Sequence, residues 1–338
     1  DPSLIVFGAT ILVPSEFELI TRFFSRPVPG DMVGAGDDCA LFTVKPGMQL
    51  ATSTDLLLEG RHFFADTDPF HLGHKALAVN LSDLAAVGAK PVACLLGLGL
   101  PSIDESWISR FADGFYALAD EHGCVLIGGD TTRSTQGVTL SVTVFGEVAP
   151  GLAMRRNAAM LGDDIWISGA LGAADIACRM LAGELPMDGK RLAQTRSALE
   201  SPTPRVALGR RVAGHVHAAI DVSDGLLQDL GHILQASGLA AEINEAALPV
   251  HDALIGCDPL QVRRAILAGG DLYELCLTAS PKQRDNLERI SLETGVALTR
   301  IGTTTRGSGV VVRDAYGQIL SDIPLGFDHF RSSGDARL

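Results

Sequence analysis

The sequence predicts a mixed α/β protein of the α+β class with two domains. The chain has 338 residues, enough for two domains of about 150 residues each. Segments with strand and helix patterning follow one another without strict alternation, which is typical of α+β folds. Pro150-Gly151 interrupts this patterning, so we expect an N-terminal extension at 1–14 and domains at 15–150 and 151–338.

Composition limits the possible partners. Hydrophobic residues make up 46% and charged residues 20%, as in ordinary globular proteins. No apolar run reaches the ~18 residues that a membrane span requires. The net charge of −13 argues against a nucleic-acid partner, because such a surface would be basic. The six cysteines form no CxxC pair and mostly have apolar neighbours, which predicts buried thiols and a cytoplasmic protein.

The first half of the chain alternates between strand and helix patterns. Ser15 and Glu18 form a capping box that opens a short helix. Asp68-Pro69 supplies a cap and a first-turn proline for a longer helix, which we expect to end near residue 87. The remaining predicted elements are strands at 39–44, 48–53, 92–100, 124–127 and 138–148 and a helix at 104–122.

The second half has shorter elements. Apolar and β-branched runs predict strands at 164–168, 218–221, 273–278, 297–302 and 309–313. Amphipathic patterns predict helices at 171–181, 203–213 and 226–236, and another that begins at Ser280-Pro281.

One local pattern recurs along the chain: an apolar run ends in small residues and an aspartate follows. Its members end at Asp55, Asp130, Asp224 and Asp271, and a helical version ends at Asp83. A strand that ends this way places its carboxylate at the rim of a sheet, so several such strands can surround one cavity. Carboxylate and hydroxyl oxygens are the ligands that Mg²⁺ prefers. The pattern therefore predicts a magnesium site that also holds phosphate groups.

A glycine-rich turn supplies two more carboxylates, Asp37 and Asp38. Adjacent carboxylates repel each other, and a divalent cation is the simplest counter-charge. A single aspartate after a strand is usually a helix cap or a turn residue, and Asp221 or Asp224 alone could cap the helix at 226–236. Five recurrences make capping a poor explanation for the whole set.

Other phosphate-binding signatures are absent from the sequence. The chain has no GxxxxGK[ST] loop and no HRD or DFG set, which excludes Walker-type and protein-kinase sites. His62 can be an ordinary polar loop residue, but its position near Asp55, Gly60 and Arg61 also suits a ligand contact.

Several motifs together resemble a known family. In order, they are Glu16-Phe17-Glu18-Leu19-Ile20, Gly36-Asp37-Asp38-Cys39-Ala40, Ser53-Thr54-Asp55 with Gly60 and His62, the run from Lys75 to Ala86, Gly128-Gly129-Asp130-Thr131-Thr132, Asp221-Val222-Ser223-Asp224-Gly225, Gly269-Gly270-Asp271, Tyr273-Glu274-Leu275 and Phe327-Asp328-His329-Phe330. The chain resembles the thiamine-monophosphate kinase family of the aminoimidazole-ribonucleotide-synthetase-like superfamily.

The resemblance implies a fold and an activity. The expected fold is an N-terminal α/β domain whose strands pair across a homodimer, followed by a C-terminal α+β domain. The expected reaction is ATP-dependent phosphorylation of thiamine monophosphate to thiamine diphosphate, the last step of thiamine diphosphate biosynthesis. Transfer would be direct and in line, with several Mg²⁺ ions and without a protein nucleophile or general base.

The resemblance also implies roles for individual residues. The implied metal ligands are Asp38, Ser53, Thr54, Asp55, Asp83, Asp130, Asp221 and Asp224. The implied ATP contacts are Gly129, Asp130, Arg156 and Ser223. The implied contacts to the acceptor substrate are His62, Asp271 and Phe327.

One position departs from the family pattern. Leu272 stands where the family usually has a second acidic residue, so acceptor binding is expected to be weaker if that carboxylate supports it. Two alternatives to the kinase remain: another ATP-dependent enzyme of the same superfamily, and a non-catalytic sensor of nucleotide and Mg²⁺.

Overall fold

The computed structural model describes residues 16–30, 32–36 and 38–321. The elements of the first half are α1 (Glu16–Leu19), β1 (Gln49–Leu58), α2 (Pro69–Val87), β2 (Lys90–Leu100), α3 (Glu105–His122), β3 (Val125–Arg133) and β4 (Thr139–Val148). A π-helical turn at Ile20–Phe24 continues α1. The predicted cap Ser15 lies outside the described residues.

The first sheet has the strand order β1-β4-β2-β3. Strand β4 is antiparallel to both β1 and β2, whereas β2 and β3 are parallel. Strand β1 is an edge strand whose alternate residues differ in exposure: Ser53, Asp55 and Leu57 are more buried than Thr54 and Leu56. Asp55 is therefore presented on the inner face of the sheet.

Helix α2 has the bounds that the sequence predicts. Asp68 Oδ1 accepts a hydrogen bond from the Phe70 N–H at 2.9 Å, and the helix ends at Gly88, whose φ is 76°. Helix α3 crosses α2 at very short range, since a Cβ atom added at Gly114 would lie 1.8 Å from the carbonyl oxygen of Phe70. This contact between backbones fixes the position of α2 over the sheet.

The second half forms a mixed six-stranded sheet with helices. Its elements are β5 (Asp164–Ser168), α4 (Ala173–Leu181), α5 (Gly189–Glu200), α6 (Val206–Val212), β6 (Ala218–Val222), α7 (Leu226–Ser237), β7 (Ala240–Asn244), α8 (Pro259–Ala268), β8 (Glu274–Ala279), α9 (Arg284–Thr294), β9 (Leu298–Thr305) and β10 (Gly309–Arg313). The strand order is β10-β7-β9-β5-β8-β6, and only the β10–β7 pair is parallel.

Helix α2 joins the two halves. It contacts β1 and β4 of the first sheet and also β6 of the second. One hydrophobic cluster contains Leu72 and Leu77 of α2 together with Leu275 and Leu277 of β8. This shared core brings the inner face of β1, the C-terminal part of α2 and strand β6 to one place. None of the helices in the described residues is both long and apolar enough to cross a membrane.

Several predicted elements differ from the structure. The strand expected at 39–44 is wrong: Val33 and Leu41 form an isolated bridge instead, and Leu41 is 60% exposed. A strand requires a partner along its length, and among the described residues the only main-chain hydrogen bonds of 39–44 are those between Leu41 and Val33. Helices α5 and α8 and strand β7 are present in the structure but are not predicted from the sequence. Helix α5 reads GKRLAQTRSALE and buries few of its residues, so it gives a weak amphipathic signal.

Candidate active site

Three aspartates from three elements meet at the junction of the two halves: Asp55 on β1, Asp83 on α2 and Asp221 on β6. Burial raises the pKa of Asp55 to about 6, and the negative charge of Asp83 adds to the shift. Burial likewise raises the pKa of Asp221 to about 8, with the charge of Asp83 as the next cause. The charge of Asp83 thus disfavours the ionised forms of Asp55 and Asp221, and a bound cation would relieve this repulsion.

Helix α2 positions the other two aspartates of this cluster, Asp221 and Asp55. Ser82 Oγ donates a hydrogen bond of 2.8 Å to Asp221 Oδ2. Asn80 Oδ1 accepts a hydrogen bond of 3.0 Å from the main-chain N–H of Asp55. Because Asn80 and Ser82 are almost fully buried, these bonds hold β1 and β6 against the helix on either side of Asp83.

The loop after β6 is held by a buried carboxylate. Asp229 Oδ2 accepts hydrogen bonds from the main-chain N–H groups of Ser223, Asp224 and Gly225 at 3.0, 3.0 and 3.1 Å. Burial raises the pKa of Asp229 to about 7, although these three bonds favour its ionised form. The arrangement fixes the loop so that Ser223 and Asp224 line a cavity.

A second loop, between α8 and β8, is tied to the first one. The main-chain N–H of Asp271 donates to Ser223 O at 2.8 Å, and Asp271 has a positive φ of 58°. Lys75 Nζ lies 2.9 Å from Asp271 Oδ1 and donates to the main-chain oxygen of His62 at 3.1 Å. Tyr273 Oη donates to the same carboxylate oxygen at 3.2 Å. A strained backbone held by this many contacts is typical of a functional loop.

These elements enclose a cavity of about 290 Å³. Polar and charged groups that line it are Asp55, Arg61, His62, Thr67, Lys75, Asp83, Glu200, Asp221, Ser223, Asp224, Asp271 and Tyr273. Aromatic and aliphatic side chains, among them Phe63, Phe64 and Leu199, line the rest. The cavity thus combines a carboxylate cluster with an apolar region, as small-molecule sites commonly do.

A larger cavity of about 750 Å³ lies on the other side of the aspartate cluster. Residues of β1, the C-terminal part of α2 and the segment 153–157 line it, including Ser53, Arg156 and Asn157. Asp83 and Asp221 line both cavities. The two cavities therefore meet at these carboxylates, so two ligands bound in them would face each other there.

The structure brings most of the predicted site residues together. Asp55, Asp83, Asp221, Ser223, Asp224, His62 and Asp271 line the first cavity, and Ser53 and Arg156 line the second. Ser53 Oγ also donates a hydrogen bond to Asp83 Oδ2. Burial raises the pKa of Asp83, whereas this bond and the positive charge of Arg156 lower it.

Other predicted residues lie elsewhere. Thr54 Oγ1 donates to Val142 O at 3.0 Å on the opposite face of β1, away from the cluster. Asp38 and Asp130 are exposed and line neither cavity. Gly129 is also exposed, and a Cβ atom there would lie 1.8 Å from Leu96 O, so strand packing alone requires a glycine. Phe327 and Asp37 lie outside the described residues.

The aspartate cluster is not a complete metal cage by itself. Within residues 16–30, 32–36 and 38–321, no three His, Cys, Asp or Glu side chains are grouped so that they could hold a metal ion on their own. Mg²⁺ commonly binds through one or two carboxylates together with waters and substrate phosphates. Carboxylates of raised pKa beside two cavities fit that kind of site.

The position of Leu272 bears on the departure from the family pattern. Its side chain lines a separate cavity of about 270 Å³, which also borders Asp271 and Arg205, and does not line the first cavity. Leu272 therefore borders a different space from the cavity that the aspartates line, although Asp271 borders both.

Sequence reasoning missed several residues of the site. Lys75, Asn80 and Ser82 belong to the family motif from Lys75 to Ala86, but the resemblance implies no role for them. Asp229 and Glu200 lie inside helices and match no pattern. The only available signal was their position, since polar residues on the apolar face of a helix require buried partners.

Comparisons with known proteins place this fold and site in a class. The family model of the AIR synthase related protein N-terminal domain matches residues 36–148, and that of the C-terminal domain matches residues 162–315. Thiamine-monophosphate kinase of Haemophilus influenzae is 38% identical over 330 residues, which cover 94% of this chain and 98% of that protein.

Solved structures agree with the sequence comparison. Thiamine-monophosphate kinase from Stenotrophomonas maltophilia K279a has 47% identity and a TM-score of 0.79, over 83% of this chain and 91% of the other. AaThiL complexed with AMPPCP and TMP has 29% identity and a TM-score of 0.74, over 85% and 89% of the two chains. The fold and site define an AIR synthase related protein. Within that class, the chain belongs to the thiamine-monophosphate kinase family.

Proposed function

We propose that the protein transfers the γ-phosphoryl group of ATP to thiamine monophosphate and so forms thiamine diphosphate. The observation that carries this proposal is that two cavities share Asp83 and Asp221 as wall residues. A phosphoryl donor in one cavity and a phosphate acceptor in the other would meet at these carboxylates. The related AaThiL structure is a complex with AMPPCP and TMP, a nucleotide analogue and a second ligand.

We assign the larger cavity to ATP and the smaller one to the acceptor. Arg156 borders the larger cavity and its positive charge acts on Asp83, which suits a contact to phosphate groups. The smaller cavity carries His62, Lys75 and Asp271 between the aspartates and an apolar region. The acceptor phosphate would lie beside the aspartates and its ring system beyond them.

The aspartate cluster would hold Mg²⁺ through Asp55, Asp83 and Asp221, with Ser53 and Asp224 beside them. Bound Mg²⁺ would neutralise charge on the phosphoryl group during transfer. On the resemblance alone, we retain Asp38, Thr54 and Asp130 as further proposed metal ligands. Gly129, Asp130 and Ser223 remain proposed ATP contacts, and Phe327 remains a proposed contact to the acceptor.

The chain's own residues orient the reactants and exclude water. An acceptor phosphate is already an anion, so its oxygen can attack the γ-phosphorus without a protein nucleophile. Lys75 and Asp271 fix one wall of the acceptor cavity, and the buried bonds of Asn80 and Ser82 fix the other. Catalysis of this kind depends on positioning and electrostatics.

The direct test is incubation of the protein with ATP, Mg²⁺ and thiamine monophosphate, followed by chromatography. We expect thiamine diphosphate and ADP in equal amounts. A folded protein that binds ATP and forms no thiamine diphosphate would contradict the proposal. The hypothesis of a non-catalytic nucleotide sensor would then be favoured. ADP formed without thiamine diphosphate would indicate another acceptor.

Replacement of Arg156 tests the assignment of the larger cavity. Arg156→Ala should raise the KM for ATP at least 10-fold, because a charge-assisted hydrogen bond is worth about 1.5–3 kcal/mol. The KM for thiamine monophosphate should stay within about twofold. Arg210→Ala is the matched control, since Arg210 is exposed and lines neither cavity. A rise in the acceptor KM alone would show that the two cavities have been assigned the wrong way round.

We also propose that the protein is a cytoplasmic homodimer. Strand β1 has β4 on one side, and its outward residues Leu50 and Leu56 are 51% and 62% exposed. An edge strand presents unpaired main-chain groups, with which a strand of another chain can pair. Light scattering should give twice the mass of the chain, and a monomer at micromolar concentration would contradict this.

A further inference from the structure

The acceptor cavity has two chemically different ends. The end described above carries Asp55, Asp83 and Asp221. Phe63, Phe64 and Leu199 also line the cavity, and Glu200, the chain neighbour of Leu199, adds a carboxylate beside them. The transfer of a phosphoryl group does not explain what this second end of the cavity binds.

The order of groups along the cavity follows from helix α2. Lys75 and Asp83 both line the cavity and are eight residues apart, which corresponds to about 12 Å along a helix. Ser201, the neighbour of Glu200, shares a hydrogen bond of 2.7 Å with His71, one turn before Lys75. Glu200 therefore lies near the N-terminal half of α2 and the aspartates near its C-terminal half, with Lys75 between them.

Glu200 is a costly residue at this position. It is 5% exposed, at the C-terminal end of α5. A carboxylate is rarely buried in apolar surroundings unless it has partners. Arg196 Nε donates to Glu200 Oε1 at 2.9 Å, and no hydrogen bond to Oε2 is found among the described residues. Arg196 is a third exposed and also lies 3.7 Å from Asp66 Oδ2, so its charge is shared.

Two cationic side chains, Lys75 and Arg61, line the cavity together with its carboxylates. The Lys75 ammonium is paired with the Asp271 carboxylate at 2.9 Å. Glu200 is paired through Oε1 with Arg196, whose guanidinium is shared with Asp66, so the carboxylate that lines the cavity beside aromatic side chains can still accept a further cationic partner. A carboxylate together with aromatic rings is the combination that binds an organic cation with no N–H group.

We propose that Glu200 and the neighbouring Phe64 bind the positively charged ring of the acceptor. This inference rests on the proposed function. The thiazolium nitrogen of thiamine phosphates is quaternary and carries no hydrogen, so charge and aromatic contact are the available means of recognition. Glu200 makes the cavity select for acceptors with an anionic phosphate at one end and a fixed cation at the other.

Two small analogues of the acceptor measure how much the positive charge of the ring contributes to binding. One is 4-methyl-5-(2-phosphooxyethyl)thiazole, which is neutral in the ring, and the other is its N-methylthiazolium derivative. Both lack the aminopyrimidine of thiamine. Their inhibition constants against thiamine monophosphate should differ at least 10-fold in the wild-type protein, with the cation bound more tightly.

Variants of Glu200 and Arg196 then test whether Glu200 causes the preference for the cationic analogue. Glu200→Gln should reduce the preference to less than threefold and raise the KM for thiamine monophosphate about 10-fold or more, while the KM for ATP is unchanged. Glu200→Asp, which keeps the charge, should retain part of the preference. Arg196→Gln is the matched control: it leaves the carboxylate and removes its competing partner, so the preference should be retained or increased.

The outcomes are separable. A preference that persists in Glu200→Gln would overturn the proposal, even if the KM for thiamine monophosphate rises, because that pattern would indicate contact with the aminopyrimidine instead. Arg196→Gln behaving like Glu200→Gln would show that the ion pair has only a structural role and would also overturn it, and this comparison remains available if Glu200→Gln does not fold. Formation of thiamine diphosphate by the wild-type protein is scored separately, so failure of the proposed reaction cannot be confused with failure of this inference.

Discussion

Asp221→Asn should lower kcat by about 100- to 1,000-fold and raise the melting temperature of the metal-free protein. Loss of activity is expected because Asp221 borders both cavities, and removing one electrostatic group from a transfer site costs about 2.7–4 kcal/mol. The gain in stability has a different cause. Asp221 is 6% exposed and the charges of Asp83, Asp229 and Asp55 all raise its pKa.

The raised pKa of Asp221 determines the direction in which Asp221→Asn changes the stability at each pH. The folded-state pKa of Asp221, about 8, lies above its ordinary value of 3.8, so the folded chain binds a proton that the unfolded chain has lost. The contribution of Asp221 to the stability of the metal-free protein is therefore fully present below about pH 4 and is lost as the pH rises toward 8, because each pKa unit corresponds to about 1.4 kcal/mol. In Asp221→Asn this decline should be smaller, and the difference between the two proteins should be largest near pH 8.

Thermal unfolding in the presence of a chelator, from pH 5 to pH 8.5, measures this effect. Asp113→Asn is the matched control because Asp113 is exposed on α3 and lines neither cavity. Its activity and melting temperature should be unchanged. A lower melting temperature for Asp221→Asn at pH 8 would mean that Asp221 is a structural hydrogen-bond acceptor for Ser82 and not part of a cation site.

Local signals explain which elements could be predicted. The bounds of α2 were correct because Asp68-Pro69 and Gly88 mark both of its ends within the sequence itself. The prediction of a strand at 39–44 was wrong because the local sequence does not specify whether a partner strand lies beside it. Helix α5 was missed because its polar face dominates, although it carries Glu200 into the acceptor cavity.

The site was predictable only as far as one pattern and a family resemblance allowed. Asp55, Asp83 and Asp221 were all predicted, and the structure brings them together. Asp130 follows the same local pattern but lies on β3, which is separated from β1 by two strands in the order β1-β4-β2-β3. Strand order is a property of long-range packing, so no local motif shows that Asp130 and Asp55 lie apart in this chain, and the metal role proposed for Asp130 rests on the family resemblance.

Buried charges inside helices were the least predictable part. Lys75 and Asp229 appear in the sequence as ordinary polar residues of amphipathic helices, which are normally solvated. In the structure Lys75 is 1% exposed and Asp229 is 3% exposed. Their partners are main-chain groups and loop residues distant in sequence, which only the folded chain specifies.

Lys75→Met should lower kcat/KM for thiamine monophosphate by about 10- to 100-fold and leave the KM for ATP unchanged. Lys75 Nζ joins Asp271 to the main-chain oxygen of His62, so it holds two separate parts of the acceptor cavity together. Removing one partner of a buried ion pair costs about 3–5 kcal/mol, but Asp271 is 32% exposed and water will compensate part of that loss. Methionine has a similar volume, so the helix should remain folded.

A double-mutant cycle separates positioning from direct contact. If Lys75 acts by holding Asp271, then Lys75→Met should have less than a threefold further effect in an Asp271→Asn background. Effects that simply add would instead indicate that the ammonium touches the acceptor phosphate independently of Asp271. Lys90→Met, a change of an exposed lysine at the start of β2, is the control for loss of charge alone and should leave kcat/KM unchanged. Because Lys75 is the buried ammonium among the described cavity residues, the result decides whether the acceptor is held by one preorganised pair or by two separate charges.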